Sequence, residues 1–322
     1  YIEIRQSSLK ALKSEEGLEL PLERTPSGGL TKACRQKLTV SLQGFLKKEI
    51  WQPRFRAYCA IGARGVSLRR LTLPATTKED FKRLLALQIE SEFPLPPDAL
   101  AWGCCQIGSA DIPVGQSSTG SGVRQELLVV AVKKEVIEEY SEILSECGVV
   151  PVFTVAALAR RLVWQHPPQT CALLDVGRNY AELISFENGV PLAMRVLSWG
   201  GESITRAIAD KLEISRDGAE KLKINLAQDP SGDAELGPKI QAAIDAALDS
   251  LAGAINGHWT GQKIYLSGRS VQLKDFAPRL ARRLGTGTQC ELLDFAPGAG
   301  RSAAVLGLRT TTANGKESAL VT

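Results

Sequence analysis

Histidine is almost absent: the 322 residues hold two, His166 and His258, far apart and without ligand-like neighbours. Neither a histidine-built metal centre nor a serine–histidine–aspartate arrangement is visible. Seven cysteines are scattered with no C-x-x-C pair. An odd, unpatterned set excludes a disulfide framework and reads as reduced thiols. Long apolar runs are lacking too. The longest, Leu127–Val132, falls far short of the roughly 20 residues of a membrane helix and reads as a buried strand. Charge of one sign is scarce: a formal net charge of +4 gives no dense basic stripe of the kind nucleic acid demands. Aromatics make up 6%. The five tryptophans, Trp51, Trp102, Trp164, Trp199 and Trp259, are dispersed, which suits core or interface roles better than a stacking platform. No signal peptide is visible, and because the chain starts at Tyr1 rather than Met, residues upstream are expected.

What is present is an ordinary globular composition, 44% hydrophobic and 23% charged, on a chain long enough for two domains. The opening "YIEIRQSSLKALKSEEGLELPLER" reads as two or three strands joined by polar turns. Cys34, Leu38, Leu42 and Phe45 recur at helical spacing between Thr31 and Lys48, and strands follow in "FRAYCAIG" and "VSLRRLTLP". At Pro74 the character changes. Thr77 and Asp80 stand at capping-box spacing before a helix with Phe81, Leu84, Leu85 and Gln88 on one side, stopped by Pro94, Pro96 and Pro97. Two strands around a polar Gly/Ser stretch (108–122) come next. A helix then carries Val136, Ile137, Tyr140, Ile143, Leu144 and Cys147 and ends at Gly148. The rest reads as three strands, three helices, and an alternation of strand "KIYLSG", helix "LKDFAPRLARRLG", strand "CELLDF" and helix "RSAAVLGLRT".

Tyr1–Gly17 aligns without a gap on Leu173–Gly189. Glu3 falls on Asp175, Arg5 on Gly177 and Gly17 on Gly189, so a hairpin recurs near the start of each half. Two lobes that each begin with an acid-containing hairpin, with a strand-Gly-helix junction late in the second, resemble the actin–Hsp70–sugar-kinase superfamily. More narrowly, "GVSLRRLTLPATTKEDFKRLLALQIESEFPLPPDALAWGCCQI", "GGESITRAIADKLEISRDGAEKLKIN" and "AAVLGLR" are similar to segments of the type IV pilus assembly protein PilM and of the cell-division protein FtsA. The resemblance covers nearly the whole chain. It implies an α/β, bilobed actin-like fold of duplicated RNase H-like lobes with a small α+β insert subdomain. The first lobe would hold residues 1–74 and 151–170, the insert 75–150, and the second lobe 171–310. A helical subdomain is expected at about 200–257 and a disordered tail at 311–322.

In that superfamily the paired hairpins clasp ATP phosphates, glycine admits the backbone to them, and the acid positions Mg²⁺ through water. Carried onto this chain, the second hairpin supplies Asp175 (also the metal residue), Gly177 and Arg178. Glu220 and Lys223 match the positions flanking the nucleoside, Gly268 the adenosine junction, and Ser7, Ser8 and Lys10 the phosphate-contacting register of the first hairpin. Gly200-Gly201 reads equally as a ligand-contacting turn or a tight turn without ligand, and Asp175-x-Gly177 is also compatible with an ordinary strand-ending turn. The first hairpin departs from the pattern, having Glu3 and Arg5 where the family has Asp and Gly. Arg5 either fills the phosphate space, reaches an anion, or points to solvent. Arg269 replaces a second glycine, and "FTVAALARRL" lacks the acid that hydrolytic members carry, so turnover is expected to be weak or absent. The triplet Arg279, Arg282 and Arg283 reads as a solvated helix face.

The resemblance therefore implies a PilM-like scaffold, cytoplasmic and recruited to the inner membrane by a partner. That partner would be the N-terminal cytoplasmic tail of a bitopic pilus or secretion platform protein, held in a groove between first lobe and insert. ATP and magnesium are either bound in a degenerate pocket or absent. Self-association is possible in such a scaffold, and neither nucleic acid nor a membrane span of its own is expected. The alternatives are an active actin-fold ATPase or small-molecule kinase, and an FtsA-like filament-forming membrane adaptor. A type II secretion platform protein without nucleotide is a third.

Overall fold

The computed structural model describes residues 1–13, 16–47, 51–111, 123–161, 169–228, 236–285 and 287–293. The final helix and tail expected beyond residue 300 lie outside them, as does most of the Gly/Ser stretch. The chain divides into two units, Tyr1–Val163 with Ala304–Thr322, and Trp164–Ala303.

In the first unit, β1 (Ile2–Ile4), β2 (Ser8–Lys13) and β3 (Glu16–Pro21) form an antiparallel meander. Beside β1, strands β4 (Phe55–Ile61) and β8 (Val149–Val155) add in parallel, giving a five-stranded sheet of order β3-β2-β1-β4-β8. The helix α1 (Lys32–Leu46) starts where the Thr31 hydroxyl accepts the Cys34 amide, buries Cys34, Leu38 and Leu42, and stops at Lys47 in a left-handed conformation. Between β4 and β8 the chain builds a second sheet. Strands β5 (Val66–Pro74), β6 (Leu100–Asp111) and β7 (Val123–Lys133) pair antiparallel in the order β5-β7-β6. Leu127–Val132 of the central strand are all 3% exposed or less, so the sheet is covered on both faces. One cover is α2 (Lys78–Glu92), whose Leu85 and Ile89, with Phe93 beyond its end, pack on Leu71, Leu73, Leu127, Val129 and Ala131. Gln88, expected on the inner side, is exposed. The buried row advances in steps of four through Leu85, Ile89 and Phe93, and Gln88 lies off it. The helix α3 (Lys134–Glu146) follows, packed against β8, α1 and β7, and α4 (Ala156–Arg161) continues directly from β8.

The second unit repeats the first sheet. Strands β9 (Thr170–Val176), β10 (Ala181–Glu187) and β11 (Val190–Leu197) form the meander, and β12 (Lys263–Gly268) and β13 (Gln289–Leu292) join in parallel, in the order β11-β10-β9-β12-β13. The first-hairpin register is the same. Ile2, Glu3 and Ile4 face Ala11, Lys10 and Leu9, while Leu174, Asp175 and Val176 face Leu183, Glu182 and Ala181. The equivalence of Gly17 and Gly189 does not hold. Lys13 already pairs with Glu16, which places Gly17 inside β3 opposite Leu12. Gly189 instead completes a two-residue turn with Asn188, both at positive φ (72° and 50°). That Asn-Gly turn of the primed type carries the second meander past the point where the first reverses.

Between β11 and β12 stand α5 (Gly201–Leu212), α6 (Arg216–Gln228) and α7 (Gly237–Asn256), and α8 (Phe276–Leu284) precedes β13. Leu174, Val176 and Leu183 of the sheet meet Ile204 and Ile208 of α5, Ile244, Leu248 and Leu251 of α7, and Phe276 and Leu280 of α8 in one core. Trp199 is seated in it, its indole N–H donating to the Ala247 carbonyl at 2.9 Å.

Candidate functional site

The end of β9 sets the geometry of the second hairpin. Its turn is closed by the Gly177 amide donating to the Tyr180 carbonyl at 2.9 Å. Asp175 is 2% exposed and faces two buried polar neighbours across the sheet, Glu182 of β10 and Ser267 of β12. Gly268 follows at φ +112°, and a Cβ there would sit 2.1 Å from the Val176 carbonyl oxygen. Both the backbone conformation and the approach of the two strand ends therefore require glycine. Gly200 is extended rather than strained, but a Cβ on it would lie 2.4 Å from the Arg178 carbonyl. The reason is that α5 docks end-on to this hairpin: Gly201 N–H donates to the Gly177 carbonyl (3.0 Å), Glu202 N–H to the Arg178 carbonyl (2.8 Å) and Ser203 N–H to the Gly200 carbonyl (2.9 Å). The first-turn amides of α5 are thus engaged within the protein, and Gly200-Gly201 is a close-packing step. Arg178 itself points outward, 80% exposed in its side chain, with Nε 3.8 Å from the Glu202 carboxylate.

Glu220 and Lys223 sit on α6, facing α5. Lys223 is 7% exposed. Its ammonium donates to the Gly201 carbonyl (3.0 Å), the Thr205 hydroxyl (2.7 Å) and the Glu220 carboxylate (2.6 Å), which matches three protons to three acceptors. Thr205, buried at 1% exposure, hydrogen-bonds both Gly201 and Glu220. Burial pushes the Glu220 carboxyl up, but hydrogen bonds from Lys223 and Thr205, with the charges of Lys223 and Arg178, outweigh it and hold the group below its usual value. The pair therefore ties α6 to the start of α5, directly behind the hairpin.

The first hairpin is held by different means. Its turn has the same closure, Arg5 N–H to the Ser8 carbonyl at 2.8 Å, but its acid is in an ion network. Glu3 is fully buried. One oxygen lies 2.8 Å from Nη2 of Arg160, itself fully buried on α4, and the other 3.0 Å from Nε of Arg5. Arg5 is 11% exposed in its side chain, so the solvent-pointing alternative is overturned. A third guanidinium holds the turn through its carbonyls: Arg24 donates to Gln6 (2.9 Å), to Arg5 (3.4 Å) and to the Tyr140 hydroxyl of α3 (2.9 Å). Burial pushes the Tyr140 phenol up to about 12, against the pull of Arg24, so it remains a neutral acceptor. Ser7 and Ser8 lie half-buried in the turn, where Leu22 N–H donates to the Ser7 carbonyl at 2.9 Å. Lys10 of β2 stands opposite Glu3 of β1, with its ammonium 3.8 Å from Glu19.

Asp175, Gly177, Arg178, Gly200, Gly201, Glu220, Lys223 and Gly268 thus gather around one hairpin and one helix start in the second unit. Ser7, Ser8 and Lys10 share the other hairpin. Sequence reasoning missed Arg160, Thr205 and Glu182. Arg160 had a signal: Glu3 sits in the apolar run Ile-Glu-Ile, and a buried carboxylate demands a cation from somewhere. Glu182 had one too, at the register position equivalent to Lys10. Thr205 had none. The triplet of arginines on α8 is corrected: Arg279 is 7% exposed and bonded to Gln241 and Asp245 of α7, and Arg283 to Asp245 and Asp249, while Arg282 is exposed. His258 is exposed and His166 lies outside the described residues. Among the described residues no cluster of His, Cys, Asp and Glu is arranged to hold a metal ion, and no helix is long and apolar enough to cross a membrane.

No curated protein matches the chain. Solved structures share its fold at low identity. A PilM-PilN type IV pilus biogenesis complex superposes with a TM-score of 0.65 at 20% identity, covering 98% of each chain. The ethanolamine utilization protein EutJ from Carboxydothermus hydrogenoformans does so at 0.52 and 12%, covering 95% of this chain and 87% of that one. MreB5 of Spiroplasma citri, bound to ADP, gives 0.52 and 10%, covering 98% and 97%. These are actin-like folds, in agreement with the duplicated sheets. A family model described as type IV pilus assembly protein PilM matches residues 63–297. That span contains the second sheet of the first unit and all the described residues of the second unit, and the chain belongs to the PilM family of type IV pilus assembly proteins.

Proposed function

We propose that this protein is a non-hydrolysing scaffold of a type IV pilus platform, recruited to the inner membrane face by the cytoplasmic tail of a bitopic PilN-type partner. The observation that carries the reading is the fully buried Glu3–Arg160 pair at 2.8 Å. At the hairpin where the resemblance would have an acid serve magnesium, the acid is already neutralised by the protein. On α4, where hydrolytic members would carry an acid to orient water, the chain supplies a guanidinium. The first hairpin does not fit a magnesium-bound phosphate, and no chemical step is routed through one. The second hairpin, with Asp175, Gly177, Arg178 and Gly268, retains the residue types for a phosphate, so nucleotide contact would be one-sided.

For the partner, the support is the family and the solved PilM-PilN complex that shares the fold. We take residues 75–150, with α2, β6, β7 and α3, as the insert subdomain, whose sheet β5 of the preceding segment completes, and α2 as one wall of the tail-binding groove. Leu87 on α2 is 61% exposed, so a change there leaves the core untouched. The test is calorimetric titration of the partner's tail peptide into wild type and Leu87→Asp, with Val40→Asp on α1 (Val40 is 68% exposed) as a second site. Micromolar binding weakened by Leu87→Asp supports the reading. Unchanged affinity in both variants places the partner elsewhere, and no binding by wild type contradicts it.

A further inference from the structure

The two hairpins share one backbone closure, and the first carries in addition a buried guanidinium network. The second is docked on α5 by its backbone, through the Gly201 and Glu202 amides on the Gly177 and Arg178 carbonyls. The first is clamped by guanidinium groups on two sides. Arg160 and Arg5 grip the Glu3 carboxylate, and Arg24 grips the Arg5 and Gln6 carbonyls and reaches Tyr140. A divalent cation could not approach Glu3 without displacing a guanidinium from each oxygen, and it would meet two positive charges around a carboxylate of no solvent exposure.

We infer that Arg160, with Arg5, is a built-in counter-ion that latches the first hairpin to α4, so that this half of the fold is set in one state without metal or nucleotide. The inference rests on reading the first hairpin as the counterpart of the second, and it deepens the proposed function by naming what stands where a switchable ligand would. Glu3 lies in the middle of β1, and Arg160 on α4, which continues directly from β8. The latch therefore joins the central strand of the sheet to the helix that extends its edge strand. Both partners are fully buried, so the pair is little screened by salt. Breaking one partner leaves the other as an uncompensated buried charge, which is costly, whereas replacing both by apolar residues of similar volume removes the demand altogether. The pair should therefore show strong thermodynamic coupling of a sign that identifies it.

The test is amide hydrogen exchange on the whole chain, read at residues 5–8 and 156–161, with 177–180 as internal reference. In wild type, protection at residues 5–8 should be equal in EDTA and in millimolar Mg-ATP. Glu3→Gln or Arg160→Met should speed exchange at both reporter segments by roughly a hundredfold, leaving 177–180 unchanged. The double variant Glu3→Leu/Arg160→Met should recover most of the protection, and it covers the case in which a single variant fails to fold. Protection at 5–8 that appears only with Mg-ATP overturns the inference, as does a double variant whose loss is the sum of the singles. Tail binding is measured separately, so a failed latch and a failed scaffold reading give different results.

Discussion

Glu3 and Asp175 occupy the same register position in two copies of one sheet, yet Glu3 faces Lys10 across its hairpin and is gripped by two guanidiniums, while Asp175 faces Glu182. The two copies share one backbone register and differ in the residue that faces the acid across the hairpin, a lysine in one and a glutamate in the other. For a scaffold this is a sensible asymmetry, since a hairpin with its own counter-ions is fixed in the absence of ligand.

Gly268 and Gly253 should respond in opposite directions to alanine. At Gly268 the positive φ and the 2.1 Å approach to Val176 leave no room for a Cβ. Gly268→Ala should cost about 1–3 kcal/mol, read as a lower urea midpoint. Gly253 is exposed on α7 with nothing within 4 Å of its would-be Cβ. Gly253→Ala should stabilise by about 0.5–1 kcal/mol through helix propensity. Equal shifts would mean that the junction of β12 with β9 is not as close as described.

Arg279 should behave as a strut between α8 and α7. Arg279→Met loses the bonds to Asp245 and Gln241 and should destabilise by about 1–3 kcal/mol, the half-exposed Asp245 limiting the effect. Arg282→Met, on the exposed side of the same helix, should stay within about 0.5 kcal/mol. Chemical denaturation of the two variants in parallel separates a strut from a solvated face.

Stability should fall with acid partly through Glu220. Its folded-state pKa is lowered from the ordinary 4.5, so its contribution is fully present above that value and is lost as pH falls through the lower folded one. Glu220→Gln should flatten that part of the stability profile below pH 4.5 while leaving the neutral plateau shape unchanged. Lys223→Met should flatten it as well, because the shift depends on the Lys223 hydrogen bond and charge. A profile identical to wild type in both variants would remove the knot behind the second hairpin.

Much of this was legible in the sequence, for local reasons. Thr77 announces a helix start because a hydroxyl three residues before an amide is a short-range signal, and it caps as expected; Thr31 caps its helix by the same means. The gapless register of Glu3 on Asp175 follows from strand alternation. Partners distant along the chain were not legible. Glu3 and Arg160 are 157 positions apart, and nothing in "ALARRL" distinguishes a buried arginine from an exposed one such as Arg282 on α8. The partners of Lys223 were hidden for the same reason, because Thr205 and the Gly201 carbonyl, which complete its coordination, belong to another helix. The Gly17–Gly189 match failed because a glycine identity carries no register: one glycine turns a hairpin and the other lies within a strand.

The most direct measurement is the affinity of the partner's cytoplasmic tail for the wild-type protein, titrated once in EDTA and once in millimolar Mg-ATP. The same dissociation constant in both, within a factor of about two, is expected of a scaffold whose first hairpin is fixed by Arg160 and Arg5; a ligand that favours neither state shifts nothing. Binding that requires Mg-ATP, or strengthens with it by about tenfold or more, would contradict a ligand-independent scaffold and return the protein to the nucleotide-switched class.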